Sequence, residues 1–127
     1  MCELELEDQL RLLKDGLTEL AIEIGDTQIS PKSLSLLCLD FEVPVDIRDS
    51  WILEFRKLSD IEYEKYSSKE IISTFRNKMQ EGFEPAKYFS DLIVFSFIRV
   101  ISKNLVEELY PLSCLLEIEF SLTADLN

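Results

Sequence analysis

Between Leu6 and Ile24 the apolar side chains return at alternating steps of four and three: Leu6, Leu10, Leu13, Leu17, Leu20 and Ile24. That spacing lays a single stripe along an α-helix, and Gly25 provides a natural C-terminal stop. The stretch "LAIEI" also alternates like a strand, but the stripe runs straight through it. A helix is the expectation.

The same reasoning carries down the chain. In "SPKSLSLLCLDF", Ser30 and Pro31 offer a cap and a first position for a short second helix. Pro44 excludes helical geometry at Val43 and ends it. Asp46 is placed to cap a third helix, with Ile47, Trp51, Phe55 and Leu58 on one side. "SSKE" reads as a capping box, Ser67 with Glu70, ahead of Ile71, Ile72, Phe75 and Met79, and Gly82 closes that helix.

Pro85 then sits near the first turn of a long apolar segment over residues 86–109. Its arc of Ile93, Val94, Phe97, Ile98, Ile101 and Leu105 suits a central helix packed by several others. The β-branched and aromatic residues there would equally suit a buried strand. At the tail, "LLEIEFSL" alternates at period two, whereas Pro111 would start a final helix. The expected fold is all-α, a single-domain antiparallel bundle of about five helices spanning residues 1–127. The alternative is α+β with a C-terminal edge strand at 115–122.

Composition sharpens this picture. A chain of 127 residues fits one domain with a real core. Its 46% hydrophobic content separates it from disordered chains, despite a net charge of −12. That charge repels phosphates and anionic lipids, so nucleic acid and membrane surfaces are excluded as direct partners. "MCELELED" is acidic where a secretory leader would be basic and then apolar, which predicts a cytoplasmic protein. "LIVFSFIRVI" is about half of the roughly 20 residues that span a bilayer.

The charge is segregated along the chain. Residues 1–26 hold eight acids and two bases, residues 40–64 eight and three, and residues 104–127 five and none. Residues 65–103 run the other way, with seven bases and four acids. A basic protein is the implied partner, possible identities including a toxin or nuclease domain.

Catalytic chemistry is scarce. With no histidine, Ser/His/Asp and Cys/His mechanisms are absent. Three glycines, at 16, 25 and 82, cannot build a phosphate-cradling loop. Cys2, Cys38 and Cys114 share no metal or redox spacing. Asp40, Glu42, Asp46 and Asp49 hint at calcium, but Pro44 and Val45 stand where oxygen ligands would be needed. No cofactor, metal or catalytic residue is expected.

The connector "SDIEYEKYSS" is the candidate binding site. It sets Asp60, Glu62 and Glu64 beside Tyr63 and Tyr66 between two helices. Tyrosines anchor interfaces, and carboxylates around them pair with Lys or Arg on a partner. The rival reading is a solvated loop whose tyrosines pack back onto the bundle. The acidic stretches 3–8 and 107–119 are the competing site.

Three binding functions follow. The first is a neutraliser of a basic protein, of the immunity-protein or antitoxin kind. The second is a DNA mimic, but duplex DNA carries about 24 charges over a 40 Å length, against −12 here. The third is an assembly subunit pairing through the first helix; the chain itself is expected to be a monomer or weak homodimer. With Leu6, Leu13 and Leu20 at d and Leu10, Leu17 and Ile24 at a, a parallel dimer pairs Gln9 with Lys14 and Gly16 with Ala21. That offers no ionic match, so the stripe is expected to pack inside its own domain.

Overall fold

The computed structural model describes residues 4–25, 31, 33–60 and 63–126, the last seven of these by backbone alone. Among them are six α-helices: α1 (Leu6–Glu23), α2 (Leu34–Asp40), α3 (Val45–Leu58), α4 (Ser68–Gly82), α5 (Asp91–Asn104) and α6 (Tyr110–Leu126). Three 3-10 turns, Tyr63–Lys65, Glu84–Tyr88 and Glu107–Leu109, join the later helices. The fold is an all-α bundle with six helices rather than five. The stretch 115–122 lies within α6, so the edge-strand alternative is overturned. Starting a helix next to Pro111 satisfies the backbone locally, whereas no described strand exists for it to pair with.

Local chemistry sets most boundaries. The Ser67 hydroxyl accepts from the Glu70 N–H while the Glu70 carboxylate accepts from the Ser67 N–H, completing the capping box of α4. The first helix ends at Glu23 with Ile24 as its cap, and Gly25 turns the chain away at a φ of 94° that only glycine adopts cheaply. Ser33, not Ser30, caps α2 by accepting from the Leu36 N–H at 3.2 Å; Ser30 lies outside the described residues. α3 begins one residue before Asp46, with Pro44 as its unbonded cap.

Two boundaries escaped the hydrophobic pattern. Residues 86–109 are not one helix. A 3-10 turn ends at Tyr88, Ser90 then caps α5 through the Ile93 N–H, and α5 itself stops at Asn104. The end of α2 is a paired 6→1 and 5→2 motif: Val43 N–H donates to Cys38 O at 2.8 Å and Glu42 N–H to Leu39 O at 3.3 Å. Glu42 sits at φ 56°, where a glycine is usual.

The core is built around α5, which touches α2, α3, α4 and α6. Eight of its residues are buried, from Val94 to Ser102, so it is screened on nearly every side. Trp51 of α3 packs edge-on to Phe97 at 5.3 Å and to Phe83 at 5.9 Å, and its indole N–H donates to Met79 O at 3.2 Å. Phe89 stacks on Phe97, and Phe55 meets Phe75 edge-on at 4.8 Å. Burying each such side chain contributes about 1.5–3 kcal/mol, and none of these contacts involves α1.

Candidate functional site

The first helix overturns the expectation that its stripe packs inward. Leu6, Leu10, Leu13, Leu17, Leu20 and Ile24 are 55–69% exposed, and Leu4, Leu12 and Ile22 are exposed as well. The periodicity predicted the helix correctly and the burial wrongly. The physical reason is that α2, α3, α4 and α6 already cover α5, leaving no open core face for a further helix. α1 makes at most marginal contact with the other described elements. Its screened edge carries Lys14, Thr18 and Ala21 instead of the leucines, and Ala21 is its one buried residue.

The connector divides into two kinds of residue. Tyr63 is half-buried: its hydroxyl donates to Leu58 O, and its ring lies over Phe75 at 6.1 Å and 26°. Burial raises its phenol pKa well above the ordinary value. This tyrosine is tied into the bundle. Tyr66, Asp60 and Glu64 are exposed. Glu62 lies outside the described residues. Tyr63 and Tyr66 together with Ile71 and Thr74 line a cleft of about 140 Å³. The structure therefore brings the two tyrosines to one cleft, with Asp60 and Glu64 in the flanking chain.

Two other cavities hold groups already engaged with each other. One, about 320 Å³, is lined in part by Ser35, Arg48, Ile52 and Asn104. Its Arg48 guanidinium is bound to Asp49 at 2.9–3.0 Å and to Ser35 Oγ at 3.0 Å. A smaller one sets Cys114 beside Tyr110, Arg99 and Glu117, and Arg99 is paired with Glu117 at 2.8 Å. Among the described residues, no group of three or more His, Cys, Asp or Glu side chains is placed to hold a metal, and no buried side-chain nitrogen or oxygen lacks a hydrogen-bond partner. No described helix is long and apolar enough to cross a membrane.

Electrostatics bear on the N-terminal helix as well. In the bundle, several carboxylates face cations: Glu54 with Lys57 and Lys78, Asp91 with Arg76, Glu84 with Lys87 and Glu117 with Arg99. Others, such as Asp40, Asp46, Glu107 and Glu108, have none within ion-pair distance among the described residues. On α1 and its cap, only Asp15 has a described partner, Arg11 at 3.4 Å. Glu5, Glu7, Asp8, Glu19 and Glu23 have no cation within ion-pair distance among the described residues. An apolar stripe and a net negative charge share one exposed helix. Comparison with protein-family models, curated proteins and solved structures finds no match to this chain.

Proposed function

We propose that this chain is a non-catalytic, acidic binding protein that docks and neutralises a basic partner protein, in the manner of immunity proteins and antitoxins. The observation that supports it best is the stripe of α1, six large apolar side chains held 55–69% exposed in a chain of net charge −12. Exposed apolar patches of this extent mark interaction sites. Covering a side chain already one-third buried contributes about 1–2 kcal/mol, so the six together supply roughly 6–12 kcal/mol. Association itself costs about 4–15 kcal/mol. The stripe is thus enough to hold a partner only when flanking contacts agree with it.

The same face favours a second reading, an assembly subunit that uses α1 as its joint. The two differ in whether the partner loses activity on binding. A tagged wild-type chain and a Leu13→Asp/Leu17→Asp variant, each exposed to an extract of the native host, separate them. The expected result is a basic protein retained by wild type, lost from the variant, and inhibited when purified wild-type chain is added. A partner retained equally by both forms removes α1 from the contact. A partner retained but not inhibited leaves the assembly reading in place of the neutraliser.

A further inference from the structure

We infer that α1 docks an apolar-striped helix of a different protein, with Lys or Arg flanking the stripe, and not a second copy of this chain. The inference rests on the docking reading above and names its partner. The argument comes from the positions that border the stripe: Glu7, Lys14 and Ala21 on one side, Gln9, Gly16 and Glu23 on the other.

Two copies fail to complement each other in either direction. Parallel pairing sets Gln9 against Lys14 and Gly16 against Ala21. Antiparallel pairing over the full stripe sets Lys14 against Lys14, Glu7 against Ala21 and Gln9 against Glu23. Neither arrangement forms one opposite-charge pair, and the second opposes two like charges at its centre. Self-association would also bring together two segments that each carry eight acids and two bases over residues 1–26. A basic-flanked helix has the opposite balance. It meets Glu7 and Glu23 at the seam with Lys14 as the single cation it opposes, and the carboxylates of Glu5, Asp8 and Glu19, none of them in a described ion pair, add attraction from behind.

Two synthetic three-heptad peptides test this, both with leucine at every a and d position. One carries lysine at every e and g position and the other glutamate. Each is fluorescently labelled and titrated with the full chain and with the Leu13→Asp/Leu17→Asp variant, whose substituted side chains lie outside the core. Sedimentation of the unliganded chain gives its oligomeric state. Binding of the lysine peptide about tenfold or more tighter than the glutamate peptide, lost in the variant, with a monomeric chain, supports the inference. A chain that sediments as a dimer, and becomes monomeric in the variant, overturns it: the occupant is a second copy, and docking through α1 stands. Equal affinity for both peptides overturns the basic flank alone. A monomer that takes neither peptide overturns the inference and the docking reading together.

Discussion

Tyr63 faces inward through both its ring and its hydroxyl, which separates it from its neighbours Asp60, Glu64 and Tyr66. Its O–H donates to Leu58 O and its ring covers Phe75, so it braces the chain between α3 and α4. Tyr63→Phe should cost about 1 kcal/mol of stability, a typical hydrogen bond, and Tyr63→Ala about 2–3 kcal/mol. Denaturant unfolding reads both; a change in partner binding at unchanged stability would return this residue to the interface. Cys38 is buried on α2, and burial raises its thiol pKa from an ordinary 9.0 to about 11, with Arg48 pulling it down and Asp49 up. From about pH 9 to about pH 11 the unfolded chain has lost this proton while the folded chain keeps it. The folded state then binds more protons, so stability falls as pH rises through that window. Unfolding midpoints between pH 8 and 11 should fall more shallowly for Cys38→Ala than for wild type, after each is normalised to its own value at pH 8.

At the scale of elements, the parts of the fold that were legible are those set by short-range chemistry. The capping box of α4, the Gly25 stop and the face of Trp51, Phe55 and Leu58 follow from side chains within a turn of each other. What escaped depended on the rest of the molecule. The apolar run over 86–109 hides two breaks, because α5 is buried nearly all round and gives no polar face to mark its ends. The α2 terminus uses Glu42 in a left-handed conformation that no glycine announces. Of the candidate site, the exposure of Asp60, Glu64 and Tyr66 was legible and the α1 face was not. A stripe of leucines looks the same whether it fills a core or waits for a partner. Gly16 offers a way to probe that helix alone. A Cβ there meets nothing within 4 Å, so Gly16→Ala should stabilise α1 by about 1 kcal/mol. Amide exchange within α1 should slow roughly fivefold, with the global unfolding midpoint unchanged because no α1 residue belongs to the core cluster. A shift of the global midpoint would show that α1 unfolds together with the bundle.

Across the whole molecule, the proposed docking would divide the work of binding between charge and apolar surface. The field of a −12 chain reaches beyond contact distance, and its range falls with salt, from a Debye length of about 30 Å at 0.01 M to about 8 Å at 0.15 M. Encounter with a basic partner should therefore slow as salt rises, while dissociation depends on the leucines once they are covered. Five uncompensated carboxylates lie on or beside α1, against the two described ones, Asp60 and Glu64, in the connector. Replacing Glu5, Glu7, Asp8, Glu19 and Glu23 by Gln or Asn should lower the on-rate about tenfold at low salt. The pair Asp60→Asn/Glu64→Gln should lower it about threefold or less. Leu13→Ala with Leu17→Ala should leave the on-rate nearly unchanged and raise the off-rate by about a hundredfold, since truncating buried apolar anchors acts after encounter. Surface-bound kinetics against the native partner at two salt concentrations resolve all three. If the connector pair slows association more than the α1 set does, the partner approaches through the Tyr66 cleft, and α1 is not where it first meets the chain.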